Sequence, residues 1–451
     1  MEETIAAIAT PLGVGAISII RVSGSNAIDI VNKIFKGKDL TTVPSHTIHY
    51  GHIVDKDQMI DEVLLSVMRA PKTYTREDIV EINSHGGIAT TNKVLQLLLE
   101  NGCVPASPGE FTKRAFLNGR IDLEEAEGIM NLIEAKTEPA RKLSINQLSG
   151  NVSKKIQSLR DDIVKILANI EVNIDYPEYE DIEEMTYEML TPKIAEIKEK
   201  VLKILEDSKS GKIITEGIKT SIIGKPNVGK SSILNTLLGE EKAIVTEIEG
   251  TTRDIVEGKI NIGGFILNMI DTAGIRKTED IVEKIGVNKS LQLISNSDLI
   301  LYVLNNNQPL TEEDLELLKK VQNKNYIIIL NKIDLERKID LSKLPEDHIV
   351  KMSIKNKEGI NELKEKIKEI FNLEKIETSD MTFVTSARSL AILNQIRDSI
   401  EDIEKGLKSG LPIDIIEIDI KNIWDKLGEI IGVSYENELI DTLFSQFCLG
   451  K

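Results

Sequence analysis

Gly224-Lys225-Pro226-Asn227-Val228-Gly229-Lys230-Ser231 is the stretch that decides how this chain of 451 residues folds. The octet fits GxxxxGK[ST], and its flanks are what that pattern needs: a β-like run at 218–223 before it and a helix-like run at 232–238 after it. Glycines let main-chain N–H groups converge on phosphate oxygens, and the start of the helix adds favourable partial charge. Lys230 is placed to meet β and γ phosphates and Ser231 to ligate Mg2+. A glycine-rich turn can match such an octet by accident, so the reading depends on the residues downstream of it.

Three further motifs come in the expected order. Asp271-Thr272-Ala273-Gly274 comes after the strand-like 265–270, where a carboxylate can hold Mg2+ through water and a glycine amide can reach the γ phosphate. Gly250-Thr251-Thr252-Arg253-Asp254 lies between these two motifs and offers hydroxyls to the metal. Asn331-Lys332-Ile333-Asp334 succeeds the strand-like 326–330. A carboxylate at Asp334 accepts both the N1–H and the 2-amino group of guanine, whereas adenine has neither donor, so its pairing leaves buried polar groups unmatched. The expected base is guanine. Together these motifs resemble a Ras-like translation-factor GTPase domain, with Ser353-Ile354-Lys355 in place of the fifth, weaker base-contacting motif.

Outward from this block the hydrophobic period changes. Within it, apolar β runs at 218–223, 265–270, 299–304 and 326–330 alternate with helices, the pattern of a parallel sheet covered on both faces. On its N-terminal side Val152, Ile156, Leu159, Ile163, Ile166 and Ile170 recur at spacings of three and four, repeated by Ile194, Ile197, Val201 and Ile204. On its C-terminal side Leu393, Ile396, Ile400, Ile403 and Leu407, then Ile416, Ile420, Ile423, Leu427 and Ile430, repeat it again. The two helical flanks read as one domain into which the α/β block is inserted. The acidic 175–181 reads as a solvated connection. Residues 1–118 carry short β-like runs and one helical run near 91–100, an α+β pattern. The expected boundaries are 1–118, 119–214 for the first helical part, 215–377 for the GTPase block and 378–451 for the second helical part.

Composition excludes several classes. The formal charge of −17 argues against a broadly basic nucleic-acid coat or a polybasic membrane binder. Hydrophobic residues at 41% and charged ones at 29% give a globular balance. Two cysteines, Cys103 and Cys448, make no disulfide framework. No apolar run approaches the roughly 18 residues of a membrane span, and the first residues lack the pattern of a secretory signal, so the expected location is cytoplasmic. Lys113, Arg114 and Arg120 form a small basic group, His85 beside two glycines either contacts a ligand or caps a turn, and Trp424 sits on a helical stripe as a core residue.

Cleavage of the triphosphate needs a group that aligns water. Ras-like domains use a Gln immediately after DxxG, and this chain has Ile275 there. Two groups could substitute. Asn227 either holds a monovalent cation beside the β and γ phosphates or satisfies the tight turn. Glu283 either orients water or is an ordinary solvated carboxylate.

Local runs at both ends of the chain carry a second resemblance. Residues 5–11, 15–24, 74–87 ending in His85-Gly86-Gly87, 108–119, and the final Cys448-Leu449-Gly450-Lys451 are similar to the MnmE (TrmE) family of tRNA-modifying GTPases, over essentially the whole length. That resemblance implies a homodimer joined by N-terminal domains that bind a reduced folate, 5,10-methylene- or 5-formyl-tetrahydrofolate, and a K+-dependent GTPase. It implies a heterotetramer with the FAD-dependent partner MnmG (GidA), and addition of an aminomethyl or carboxymethylaminomethyl group at C5 of the wobble uridine (U34) of certain tRNAs. By position it assigns Arg21, Glu81, Arg120 and Lys451 to folate, Asn227, Thr246, Ile248 and Thr251 to K+, Ser231 and Thr252 to Mg2+, and Glu283 to the attacking water. Catalysis then falls to Glu283, Asn227 and Lys230. GTP contacts extend through Val228, Gly229 and Ser232, through Thr246, Glu247, Ile248, Glu249 and Gly250, and to Asp271, Thr272, Ala273 and Gly274, with the base at Asn331, Lys332, Asp334 and Ser353. Arg120 stands where Lys is common, which keeps the charge and changes the donor geometry. Cys448 is either a reactive thiol or a small packed side chain.

Two alternatives remain at this point. One is a GTP-dependent ribosome-assembly or regulatory switch sharing the phosphate and guanine motifs, and the other is an ATP hydrolase. The N-terminal runs and the terminal CxGK favour tRNA modification over the switch.

Overall fold

The computed structural model of the chain describes residues 3–175, 186–240, 258–270, 292–373, 382–434 and 437–450. The acidic 176–181 lies outside them. The chain divides into two compact units: Met1–Met130 with Leu148–Ile197 and Gln395–Lys451, and Asn131–Gln147 with Lys198–Asn394.

The first unit contains a seven-stranded sheet of order β3-β4-β5-β6-β2-β1-β7, made of Ile5–Ile8 (β1), Ile17–Ser23 (β2), Phe35–Lys36 (β3), Thr47–Asp55 (β4), Gln58–Met68 (β5), Ile79–His85 (β6) and Val104–Pro105 (β7). All neighbours are antiparallel except β1 and β7. Alternation decides its two faces. Ile20, Val22, Val63, Leu65, Val67, Val80 and Ile82 point to one side and pack on the helices Ala27–Ile34 and Ile88–Glu100 through Ile28, Val31, Ile34, Val94 and Leu97. The intervening positions, including Arg21 and its cross-strand partner Glu81, point to the other side. That second face also shows Ile17, Ile48, Tyr50 and Leu64, all 48–67% exposed. The sequence expectation of one helical run in this region is corrected: Ala27–Ile34 and Glu110–Leu117 are also helices. Both are only eight residues long, too short for a stripe to declare itself.

The same unit carries most of the long helical stripes. Val152, Ile156, Leu159, Ile163, Ile166 and Ile170 of Asn151–Asp175 are all buried, as are Ile416, Ile420, Ile423, Leu427 and Ile430 of Ile413–Ile431. Trp424 does not sit in this core as its spacing implied. It is half-buried, with the Arg160 guanidinium 4.0 Å from its ring centroid, because its position falls on the edge of the stripe. The helix Asn437–Ser445 packs Ile440 and Phe444 against Phe116, Leu123 and Ile129, and Phe447 continues that contact. Gly109, at φ 71, allows this approach, since a Cβ there would meet the Phe444 carbonyl.

The second unit holds a six-stranded sheet of order β13-β12-β11-β8-β10-β9: Ile218–Ile223 (β8), Gly258–Ile262 (β9), Phe265–Met269 (β10), Leu299–Asn305 (β11), Asn325–Asn331 (β12) and Ile349–Met352 (β13). Every pairing is parallel except the β9–β10 hairpin. Burial on both faces explains the unbroken apolar runs of β11 and β12. Lys230–Glu240 and Ile360–Ile370 cover one face, and Glu312–Val321 covers the other. Ligands of such sheets bind at the carboxyl ends of the strands, where β8 and β12 deliver the two described motifs.

Candidate functional site

At the end of β8 the chain turns sharply into the helix Lys230–Glu240. Gly224 adopts φ 142 and Gly229 φ 103; a Cβ on the first would meet the Val303 carbonyl of β11, and on the second the Asn331 amide. Asn227 takes φ 62, the left-handed region that Asn tolerates better than most residues. Lys230 curls back over this loop, its Nζ donating to the carbonyls of Gly224 at 2.7 Å and Lys225 at 2.6 Å. Burial holds its ammonium below the ordinary lysine range. An anion placed over the loop would restore the charge balance that burial disturbs.

The guanine-reading motif is tied to the same loop. Asn331 donates from Nδ2 to the Val228 carbonyl at 2.8 Å, and Lys332 from Nζ to the Asn227 carbonyl at 2.9 Å. Asp334 accepts from the Ser353 hydroxyl at 2.8 Å. Ser353 thus orients the carboxylate through its side chain, a role that its tripeptide, with Ile354 in the middle, did not disclose. The structure therefore brings together Asn227, Val228, Lys230, Asn331, Lys332, Asp334 and Ser353, with Ser231 and Ser232 opening the helix below. Thr246, Glu247, Ile248, Glu249, Gly250, Thr251, Thr252, Asp271, Thr272, Ala273, Gly274, Ile275 and Glu283 lie outside the described residues.

A separate constellation forms on the other face of the first sheet, where Phe111 of the helix Glu110–Leu117 packs on Ile5 and Ala7 of β1. Arg21 and Glu81 are directly opposite across β2 and β6, with Nε–Oε1 2.9 Å and Nη2–Oε1 2.8 Å. Arg21 also donates to the Gly450 carbonyl at 3.1 Å, 429 positions away. Its guanidinium lies 5.5 Å from the Tyr74 ring and 5.6 Å from the Phe111 ring, and Arg120 lies 4.8 Å from Tyr74 while donating to its carbonyl at 3.2 Å. Gly450 reaches this place at φ 87, where a Cβ would press on the Ile8 carbonyl. Three of the four expected folate residues therefore converge, joined by Tyr74 and Phe111, which the sequence reading missed. Lys451 lies outside the described residues, and Cys448 is exposed.

One other expectation is corrected. Lys113 and Arg114 do not form a free basic group: Lys113 pairs with Asp441, and Arg114, 8% exposed, pairs with Glu77 at 3.0 Å and Glu110 at 2.9 Å. An arginine this buried keeps its charge only with partners. His85 Nδ1 lies 2.7 Å from Asp61 Oδ1, and that hydrogen bond holds the imidazole above its ordinary pKa.

The glycine-lined loop between a parallel strand and a helix, clamped to an NKxD motif, defines a P-loop GTPase. The model described as "GTP-binding protein TrmE N-terminus" matches residues 4–120, and "MnmE helical domain" matches residues 123–448. The chain belongs to the MnmE family of tRNA modification GTPases, whose known role is at the wobble uridine. It is 55% identical over 455 residues to the tRNA modification GTPase MnmE of Bacillus cytotoxicus, spanning 100% of this chain and 99% of that one. Its identity to the protein of that name from Bacillus thuringiensis is 54%, with the same coverage, and to that from Ligilactobacillus salivarius 54%, covering 100% and 98%. Among solved structures, the G domain of the T. maritima FeoB iron transporter is 30% identical over 34% of this chain and 98% of that one, with a TM-score of 0.26. The chain is a GTP hydrolase acting in tRNA modification. No helix among the described residues is long and apolar enough to cross a membrane.

Proposed function

We propose that this chain is a cytoplasmic, K+-activated GTPase that works with MnmG and a reduced folate to install the (carboxymethyl)aminomethyl group on U34, as a homodimer within a heterotetramer. Its parts are a folate-binding and dimerising 1–118, a helical domain split between 119–214 and 378–451, and a GTPase block at 215–377. The observation that carries the reading is the convergence of Arg21, Glu81 and the Gly450 carbonyl beneath Tyr74 and Phe111. A nucleotide switch alone has no use for such a constellation. A half-buried guanidinium and carboxylate between two aromatic rings suit the donors, acceptors and flat ring of a pterin, and Arg120 and Lys451 suit its carboxylates. The exposed Ile17, Ile48, Tyr50 and Leu64 on the same sheet face support a twofold contact.

At the nucleotide, the amides of Val228, Gly229, Ser231 and Ser232 and the ammonium of Lys230 hold the phosphates, while Asn331, Lys332, Asp334 and Ser353 select guanine. The hydroxyls of Ser231 and Thr252 are hard oxygen donors that fit Mg2+, with Asp271 reaching the ion through water. Asn227, Thr246 and Thr251, with the main-chain oxygen of Ile248, are oxygen donors that fit K+. A potassium ion held there supplies positive charge beside the β and γ phosphates, where negative charge grows during cleavage. Glu283 orients water in place of the absent Gln, and the remaining residues of 246–250 and 272–274 contribute further GTP contacts.

The experiment has two arms. Titration with labelled reduced folate should saturate at one ligand per chain, and hydrolysis should be far faster in potassium than in sodium buffer. A chain that retains no folate at saturating concentration would return the reading to a regulatory switch. Equal rates in both salts would remove Asn227 from the mechanism.

A further inference from the structure

Lys225, the second residue of the phosphate loop, has no assigned role in the nucleotide site, yet its side chain leaves the loop for a buried anchor. Its Nζ donates to Asp314 Oδ2 at 2.9 Å and to the Thr311 hydroxyl, and Glu313 Oε2 lies 3.8 Å away. Asp314 is an unusual carboxylate. It is 6% exposed, sits in the first turn of Glu312–Val321, and closes a capping box with Thr311, whose N–H it accepts at 3.0 Å. Behind it the fully buried Tyr302 of β11 donates to the Asp314 carbonyl at 3.1 Å.

The main chain of Lys225 completes the connection. Its carbonyl is one of the two acceptors that hold the Lys230 ammonium, at 2.6 Å. Pro226 fixes φ on one side, so the orientation of that carbonyl depends on where the Lys225 side chain is tied. A lysine on a loop surface ordinarily loses rotamer freedom when fixed, and a near-buried carboxylate is the sort of partner that can offset this. We propose that Asp314 is a positioning residue for GTP binding: through its ion pair with Lys225 it sets the Lys225 carbonyl and so aims the Lys230 ammonium at the phosphates. The inference rests on the assignment of Lys230 to the phosphates. Asp314 itself touches no part of the nucleotide.

The test uses the full-length chain and compares Asp314→Asn, Lys225→Met, their double variant and Lys230→Ala. Asn keeps an acceptor for the Thr311 N–H, so the helix cap survives while the charge is lost. Because an aimed ammonium serves bound GTP and its transition state alike, the GTP KM in Asp314→Asn should rise roughly fivefold to twentyfold with kcat within about threefold. Lys225→Met should do the same, and the double variant should be no worse than either single, since both remove one linkage. A KM unchanged in Asp314→Asn but raised in Lys230→Ala overturns the clamp alone. Wild-type KM in Lys230→Ala removes the phosphate assignment and the clamp with it. A lowered melting temperature with unchanged KM reduces Asp314 to a helix cap, and multiplicative effects in the double variant break the linkage.

Discussion

Asn331 donates its amide to the carbonyl of Val228 at 2.8 Å, across 103 positions of sequence. The last residue of β12 thereby fixes a peptide in the middle of the phosphate loop, and Lys332 repeats the tie one peptide earlier at Asn227. The Asn331-Lys332 motif and the phosphate loop are thus joined by two side-chain hydrogen bonds to main-chain carbonyls. Among the described residues Asn331 Oδ1 is buried without a hydrogen-bond partner, the orphan expected beside a ligand or water.

Removing that tie should injure both halves. Asn331→Ala strands the Val228 carbonyl, a loss of about 1–3 kcal/mol for a buried unsatisfied group. The expected result is GDP and GTP affinity lowered by roughly tenfold or more, at the scale of 1.4 kcal/mol per decade. Equal affinity for wild type and variant in a fluorescent-nucleotide titration would show that the tie is incidental.

Gly224→Ala tests the turn itself. A methyl at φ 142 would have to displace the Val303 carbonyl of β11, so the cost is backbone strain of about 1–3 kcal/mol. The urea midpoint should fall. Hydrogen exchange should quicken first in β8 and β11, and uniform exchange would contradict the placement of the strain.

For the pocket of the first unit, Glu81→Ala leaves Arg21 without its aligned carboxylate, although the rings of Tyr74 and Phe111 remain. Reduced-folate affinity is expected to drop by roughly tenfold or more, as for truncation of one partner of a desolvated charge pair. Calorimetric titration decides the matter, and an unaltered Kd would place the folate elsewhere.

The His85–Asp61 pair predicts a pH dependence of definite sign. The histidine pKa is raised above 6.5, chiefly by the hydrogen bond to Asp61. Its contribution to stability is therefore complete below 6.5 and disappears as pH rises through the higher folded value. The imidazole is 71% exposed, although Asp61 is not, so the change is small. NMR titration of the imidazole should show a midpoint above 6.5 that returns to the ordinary value in Asp61→Asn.

The two cysteines should react very differently. Burial pushes the Cys103 thiol up to about 12, while Cys448 is exposed. A thiol reagent at neutral pH should label the native chain at Cys448, with Cys103 reacting only after denaturation. Mass mapping that found Cys103 modified first would mean that it does not stay packed in the apolar core of the first sheet, where it is 5% exposed.

Much of this architecture was legible because the period of apolar residues is decisive where elements are long or doubly buried. The 218–223 run is β8 residue for residue, and the stripes on Asn151–Asp175 and Ile413–Ile431 mark both helices. What escaped notice had mixed faces. The β-like run at 63–68 is the second half of β5, whereas β4 and the start of β5 show no such period: their hairpin turns at Lys56 and Asp57, and Ile48, Tyr50 and Leu64 lie on its open face, so polar and apolar residues interleave. In the sites, motif residues were readable because spacing along the chain encodes them. Tyr74, Phe111, Asp314 and the side-chain part of Ser353 were not, since they arrive from distant segments by packing. The capping-box pattern at Thr311 and Asp314 could have revealed the helix start, though not its partner Lys225.

The bond from Arg21 to Gly450 has a consequence for how the protein is made. At about 5–20 residues per second, roughly 20–90 s separate the synthesis of these two residues on the ribosome. The first sheet can fold early in that interval, but Arg21 meets the Gly450 carbonyl only after translation has passed through both the phosphate loop and Asn331-Lys332-Ile333-Asp334. The last bond of this constellation is thus among the latest the nascent chain can make.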